Sequence, residues 1–296
     1  MSHLIVHETP QVPHEYLIIA FAGWADAAES ATTAIKYLTR KLGARKFAEL
    51  DPEEFYDFTQ TRPYTSRTKD GRRRVHWPEN DFYSWVPEGS NTGTMFFLGV
   101  EPNLRWRTYS QEITTISKIH GVKTVVHLGA LLDAVPHTRE VRVTGSSTRP
   151  DLQKYLAGSG AKASNYQGPT GISSALMASF ADAGIDTASL WGHTSHYLQA
   201  APNYRVAHTL LKRFQGILDL PVDIKELLSA AGTFDREVAK AIERDDQLGA
   251  YVTKLEGQYD ESLAADEIPD PSEMVQDLEQ FLRSEQRRRP GPGEST

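Results

Sequence analysis

A short apolar run near the middle of the chain constrains the fold most. Residues Thr124 to Leu128 are almost continuously apolar, which is typical of a strand buried on both faces of a parallel sheet. The segment before this run places Ile113, Ile116 and Ile119 at helical spacing. A helix that leads into a buried strand predicts a βαβ unit.

The predicted strand leads into a loop dense with polar side chains. Asp133, His137, Thr138 and Arg139 all follow it within a few residues, and Pro136 holds the residue before it extended. Loops at the carboxyl ends of parallel strands collect ligands and partners. We therefore expect function at this loop.

The same alternation of strand and helix patterns extends over residues 1–221, which we predict to be an α/β core domain with a mostly parallel sheet. Asp26 is a candidate amino cap for the first helix, and Gly43 is placed as its carboxyl cap. Small residues on this helix would let it pack close to the sheet or to another copy of the chain. The other predicted strands are residues 16–21, 95–100, 141–144 and 188–191.

Residues 46–85 form an exception, with short alternating segments that indicate an antiparallel excursion from the sheet. Asp70-Gly71 between extended residues predicts a hairpin. Basic residues beside aromatic residues occur in grooves that bind single-stranded nucleic acid. Charged residues also protect exposed edge strands from aggregation, and this is the interpretation we prefer. The basic residues are Arg62, Arg67, Lys69, Arg72, Arg73 and Arg74.

From Val222 the sequence has helical patterns without strand signals, and we predict a helical extension over residues 222–286. An apolar seam runs from Phe234 to Tyr259, and a second helix opens at Asp270 with proline at its first position. The two helices would form a hairpin packed on the core or on a neighbouring subunit. Residues 287–296 are predicted to be a disordered tail.

Composition restricts the classes of function. The 296-residue chain has a net charge of −7 and no cysteine, which excludes disulfides and thiolate chemistry and disfavours a general nucleic-acid-binding protein. The chain lacks an apolar run of the ~18 residues that span a membrane, and its amino terminus does not resemble a signal peptide. We expect a cytoplasmic protein without membrane contact.

Two polar loops suggest a shared site. Asp133 and His137 follow one predicted strand, and His193 and His196 follow another. If the strands are parallel neighbours, the four side chains would meet at one rim as a metal site or an acid/base group. A loop histidine is more often a hydrogen-bonded structural residue, so we predict no metal and no cofactor.

A second candidate site lies where a glycine-rich turn opens a helix. Gly168, Thr170 and Gly171 would present free N–H groups at the positive end of the helix dipole, which suits a phosphate or a carboxylate. The same residues also suit a tight helix entry that binds no ligand.

Five motifs, read in order over residues 4 to 220, carry a resemblance to a known family. The chain resembles the proteasome assembly chaperone two family, in particular its actinobacterial branch. The motifs are Gly23-Trp-Ala-Asp26; Thr61-Arg-Pro63 with Asp70-Gly71 and Trp77-Pro78; Leu128-Gly-Ala130 with Pro136-His-Thr-Arg139 and Val143-Thr-Gly145; Gly168-Pro-Thr-Gly-Ile172; and Ser189-Leu-Trp191 with Ser195-His-Tyr197.

The resemblance implies a three-layer α/β/α fold similar to that of purine nucleoside phosphorylases. Eukaryotic relatives help to assemble the proteasome α ring, and the family offers no agreed catalytic residues to transfer. We expect a protein-binding, self-associating chain with proteasome-related proteins as candidate partners. The alternative is a nucleosidase- or hydrolase-like enzyme that uses the rim histidines and the anion site.

Overall fold

The computed structural model describes residues 3–163, 166–198 and 202–264. Within them an eight-stranded sheet has the order β1-β3-β6-β7-β2-β8-β10-β9, and β4 and β5 form a separate hairpin. The strands are β1 (Leu4–Val6), β2 (His14–Ala22), β3 (Arg45–Leu50), β4 (Tyr64–Arg67), β5 (Arg73–His76), β6 (Asn80–Trp85), β7 (Gly93–Val100), β8 (Thr124–Asp133), β9 (Val143–Ser147) and β10 (Asp186–Ser195). The helices are α1 (Ser30–Leu42), α2 (Trp106–Ile119), α3 (Pro150–Gly158), α4 (Ile172–Asp182), α5 (Tyr204–Phe214), α6 (Lys225–Ile242) and α7 (Asp246–Ala264).

The fold has three layers, as predicted. The central strands β7, β2, β8 and β10 are parallel to one another, while β1, β3, β6 and β9 pair antiparallel at the two sides. Helices α1 and α5 pack on one face of the sheet, and α2 and α4 pack on the other. The predicted antiparallel excursion is confirmed as β3 to β6, with the β4–β5 hairpin turning at Asp70-Gly71.

The two cores follow from the alternation of side chains along each strand. In β2, Ile18 and Ala20 face the core under α1 and α5, while Leu17, Ile19 and Phe21 face the core under α2 and α4. All five are fully buried. A strand covered on both faces needs apolar residues at every position, which explains the continuous run in the sequence.

Helix α1 ends where its sequence predicts but begins later, at Ser30, after a 3-10 turn over Ala27–Glu29. The Asp26 carboxylate accepts hydrogen bonds from the N–H groups of Ala31 and Thr32, and Gly43 ends the helix with φ of 66°. The small face of the helix, including Ala31 and Ala34, is buried in the core. That face therefore serves packing within the chain and is not available to another copy.

A helical pair follows the core, but its break differs from the prediction. The seam predicted to run from Phe234 to Tyr259 is divided between α6 and α7, where the N–H groups of Gln247 and Leu248 donate to the Asp245 carboxylate. The helix predicted to open at Asp270 and the predicted tail lie outside the described residues. The division into domains stays a prediction.

In the described ranges, the helices are too short or too polar to cross a membrane.

Candidate functional site

The predicted rim lies where β8 and β10 end side by side. These strands pair in parallel register through their last residues, with Ser195 opposite Asp133. Asp133 and His193 are therefore strand residues, and the prediction that both lie in loops was wrong. Both strands are longer than the apolar runs predicted, because each continues with polar residues where it reaches the edge of the core.

Asp133 and His193 form the centre of a buried network. His193 Nδ1 lies 2.6 Å from Asp133 Oδ2, and His193 Nε2 lies 3.1 Å from Thr144 Oγ1 on β9. A carboxylate can only accept, so the hydrogen bond to Asp133 requires a proton on Nδ1. All three side chains are buried. The arrangement fixes the orientation of the His193 ring.

Further contacts keep the Asp133 carboxylate ionised. Burial would raise its pKa, but the hydrogen bond and charge of His193, the charge of Arg142 and the Ala134 N–H bring the pKa below its usual value. Arg142 Nη1 lies 3.6 Å from Asp133 Oδ2, and the Ala134 N–H donates to Oδ1 at 2.7 Å. Asp133 is thus a buried anion with charged and neutral donors around it.

The other two predicted histidines have separate partners. His196 Nδ1 lies 3.0 Å from the Asp133 carbonyl oxygen, and its Nε2 lies 3.1 Å from the Tyr251 hydroxyl. His137 Nδ1 lies 2.7 Å from the Tyr197 hydroxyl, which also accepts from the His137 N–H. The structure therefore brings Asp133, His193 and His196 together and sets His137 beside them against Tyr197.

Helix α7 lies across this rim. Arg139 forms ion pairs with Asp260 at 2.8 Å and with Glu256 at 3.1 Å. Arg142 donates to the Ser262 hydroxyl at 3.0 Å and lies over the ring of Tyr259. Since Val252, Leu255 and Tyr259 of α7 are buried, the helix is part of the packed structure at this edge. These three buried positions belong to the predicted apolar seam.

The space left at the rim is small. A cavity of about 20 Å³ lies among His137, His193, Asn203, Arg205 and Phe234, enough for about one water molecule. Sites for small molecules usually have volumes of ~300 Å³ or more. In the part of the chain that the structure describes, no group of three or more His, Asp or Glu residues is arranged to hold a metal ion.

The predicted anion site already has an anion from the chain itself. Glu101, which follows β7, accepts the Ile172 N–H through Oε1 at 2.9 Å and the Trp24 N–H through Oε2 at 3.3 Å. A Cβ on Gly171 would lie 2.7 Å from Glu101 Oε1, so glycine is needed for this approach. An external anion at Gly168, Thr170 and Gly171 would meet the negative charge of Glu101 at the start of α4.

Large apolar side chains are exposed on segments near the carboxyl ends of the parallel strands. Trp24 follows β2 and is 63% exposed, and its ring lies beside Gly171 at the start of α4. Leu104 after β7, Leu132 near the end of β8 and Tyr166 before α4 are 49%, 46% and 54% exposed. Aromatic side chains of this kind are enriched at protein interfaces.

The backbone that presents Trp24 is firmly held. Gly23, Ala28 and Glu29 have positive φ values of 120°, 50° and 51°, which for the two non-glycine residues costs about 1–3 kcal/mol each. Hydrogen bonds compensate, because the Ala130 N–H donates to Ala25 O at 2.8 Å and the Asn203 N–H donates to Ala28 O at 2.9 Å. Surrounding structure therefore imposes the conformation of this segment.

Several contacts at these sites could not be predicted from the sequence. Glu101, Thr144 and Tyr251 come from elements far along the chain from the residues they meet. One feature of the sequence does point to Glu101. It is a polar residue directly after an apolar strand, and the same feature identified Asp133 as a candidate site residue.

The comparisons with known proteins agree with this architecture. A model of the PAC2 family matches residues 20–242. A PAC2 family protein from Streptomyces avermitilis is 33% identical, with 80% of this chain and 99% of that chain covered and a TM-score of 0.72. Among curated proteins there is no match.

Two further solved structures are similar. A proteasome-assembly chaperone homologue from Mycobacterium tuberculosis is 33% identical, covers 80% of this chain and 99% of its own, and has a TM-score of 0.71. An archaeal proteasome activator from Pyrococcus furiosus is 20% identical, with coverage of 80% and 97% and a TM-score of 0.63. At that identity the second likeness concerns the fold alone.

Proposed function

Because the chain belongs to the PAC2 family, we propose that it is an assembly-chaperone-like protein that binds proteasome subunits in the cytoplasm and also associates with itself. The relative from Mycobacterium tuberculosis, described as a proteasome-assembly chaperone homologue, supports the choice of partner. The proposal concerns protein binding, with no chemical step.

The contrast between the rim and the surface beside it carries this proposal. At the rim, polar side chains bond to one another under α7 and leave room for about one water molecule. On the surface beside it, Trp24, Leu104, Leu132 and Tyr166 are exposed. A closed polar network with exposed apolar side chains nearby suits a protein-binding surface better than a substrate pocket.

Trp24 is the residue we expect to contribute most to partner binding. Its ring is exposed while its backbone is fixed by the hydrogen bond to Glu101 and by the contacts of the following turn. A large aromatic side chain on a rigid segment loses little conformational entropy on binding, and Trp is enriched among interface hot spots.

The test is a binding measurement between the full chain and purified proteasome α and β subunits from the same organism, by surface plasmon resonance. We expect Trp24→Ala to weaken binding by about tenfold or more. Ile119→Ala is the matched control, because Ile119 is also exposed but ends α2, just before the amino end of β8. It should change the Kd by less than about twofold.

Absence of binding by the wild-type chain at micromolar concentration to any subunit would refute the proteasome part of the proposal. Equal effects of Trp24→Ala and Ile119→Ala would refute the assignment of the surface.

Self-association is a separate part of the proposal. Light scattering at micromolar concentration should give a mass above the single-chain 33.0 kDa. Since the small face of α1 is buried within the chain, the contact must use another surface.

A further inference from the structure

The β4–β5 hairpin, residues 61–77 with its flanking turns, projects as an arm from the main sheet. Tyr64 pairs with His76 and Arg67 pairs with Arg73, and every residue of the two strands is exposed except the half-buried His76. An isolated two-stranded hairpin is only marginally stable in water. Two aromatic contacts stabilise its base. The ring of Tyr64 stacks on that of His76 with their centroids 4.4 Å apart, and the ring centroids of Phe58 and Trp77 lie 4.9 Å apart.

The charges on this arm repel one another. Residues 61–77 hold six Arg or Lys residues and one acid, Asp70, for a net charge of +5. Arg67 lies directly opposite Arg73 across the two strands, an arrangement that destabilises a hairpin. Asp70 pairs with Arg72 at 3.0 Å, and within the described ranges the other five cations of the arm form no ion pair.

The rest of the chain is strongly acidic. The whole chain carries −7, so the residues outside the arm carry −7 − 5 = −12. Residues 222–264, which contain α6 and α7, hold ten acidic and five basic residues, a net charge of −5. Glu237, Glu243, Asp246 and Glu261 of this region are exposed.

The arm and the acidic helices both lie where the parallel strands end, but next to strands that are far apart in the sheet order. β6 follows the arm and begins opposite Gly99, at the carboxyl end of β7, whereas α7 contacts Arg139 after β8 and His196 after β10. β6 and β10 are four strand positions apart, which corresponds to about 19 Å. One chain therefore offers a basic arm at one side and an acidic surface at the other.

We propose that the basic arm of one copy docks on the acidic α6–α7 surface of a second copy, in a head-to-tail contact. The inference rests on the self-association part of the proposed function. Two arms cannot pair with each other, since both carry +5. Carboxylates of the second copy would lie between Arg67 and Arg73 and remove their repulsion, while Tyr64 and Trp77, both exposed, supply the aromatic contacts common in interfaces.

Sedimentation velocity of the full chain tests the contact. In the wild type, raising the salt from ~50 to ~500 mM should weaken association about tenfold or more, because exposed charges are screened. Arg67→Glu with Arg73→Glu should weaken association about tenfold at low salt. Lys118→Glu with Lys154→Glu changes the net charge equally at exposed positions, one near the end of α2 and one in α3, and should have less than about a threefold effect.

Reversing the charges on both surfaces gives the most decisive test of the contact. The arm variant should regain association when it is mixed with a chain that carries Glu237→Arg and Glu261→Arg, since each would then meet an opposite charge. Far-UV circular dichroism confirms that each variant is folded.

Three results would overturn this inference: a monomeric wild type at low salt, an arm variant that associates as the wild type does, or a mixture that regains nothing. Binding of a single-stranded oligonucleotide that is lost in the arm variant while self-association persists would overturn it in favour of nucleic acid. Subunit binding measured on the same arm variant separates the two proposals, because it depends on Trp24 and should persist.

Discussion

At the scale of single residues, Asp133 holds the rim together. Its carboxylate bonds to His193 and to the Ala134 N–H and lies beside Arg142, while its carbonyl oxygen accepts from His196. The side chain is almost completely buried. Replacing one partner of a buried charged pair leaves the other partner without compensation.

Asp133→Asn keeps the shape of the side chain but removes its charge. We expect the free energy of unfolding to fall by about 3 kcal/mol, because Arg142 loses its buried counter-ion and His193 loses a charged acceptor. Urea unfolding measures the change. Asp151→Asn is the matched control, since Asp151 forms an exposed ion pair with Arg149, and its urea midpoint should stay almost unchanged. A similar loss in both variants would contradict the role given to Asp133.

The buried side chain of His127 should make the stability of the fold depend on pH. Burial lowers its pKa from 6.5 to about 4, and neither ring nitrogen has a hydrogen-bond partner among the described residues. Below pH 6.5 the unfolded chain binds a proton that the folded chain does not accept until about pH 4. The contribution of His127 should therefore destabilise the folded chain as the pH falls through this window, by about 2–3 kcal/mol between pH 7.5 and 4.5.

Urea unfolding at the two pH values tests this expectation, with His127→Phe as the comparison. A phenyl ring at this position has no proton to gain, so the variant should lose about 2–3 kcal/mol less than the wild type between these pH values. The same pH dependence in both chains would show that His127 does not contribute.

At the scale of elements, α7 is joined to the rest of the chain mainly through the β8–β9 connection. Arg139 binds Glu256 and Asp260, Thr138 donates to Glu256, and the Tyr259 hydroxyl donates to Glu140 O at 2.8 Å. The predicted seam correctly marked Val252, Leu255 and Tyr259 as buried. The spacing of its apolar residues could not show where α6 ends and α7 begins, because the seam continues past the break with only a six-residue gap between Ile242 and Leu248.

Arg139→Ala should loosen α7 without unfolding the core. We expect amide hydrogens of residues 246–264 to exchange about threefold faster or more, since local opening then breaks fewer contacts. Hydrogen–deuterium exchange with mass spectrometry measures this, and amides of β2 and β8 serve as the internal reference. Arg149→Ala is the control, because Arg149 pairs with Asp151 in its own helix region. Unchanged exchange in α7 would mean that Arg139 does not hold the helix.

At the scale of the whole molecule, apolar periodicity predicted a mostly parallel sheet with helices, because it records which faces of an element are covered, and the family resemblance implied the three layers. The meeting of Asp133 and His193 was predicted on the condition that their strands are parallel neighbours, and β8 and β10 meet that condition. The contact of Glu101 with the start of α4 and the contact of α7 with the rim could not be predicted, since both depend on contacts between distant segments. Similarity to purine nucleoside phosphorylases stays a prediction.

A ligand screen tests whether the molecule as a whole has a small-molecule site. Phosphate, nucleosides and divalent metals should each shift the melting temperature by less than about 1 °C, because binding that favours the folded state would raise it further. A shift of several degrees with phosphate or a nucleoside, lost in Thr170→Ala or His137→Ala, would instead support the enzyme alternative.

The placement of basic and acidic groups at opposite sides of one sheet edge gives the molecule a permanent electric dipole along its strand order. Two copies that approach in solution would be turned by each other's field before they touch, so that encounter in the productive orientation becomes more frequent than chance allows. Ionic strength should then act mainly on the rate of encounter and only weakly on the lifetime of the complex.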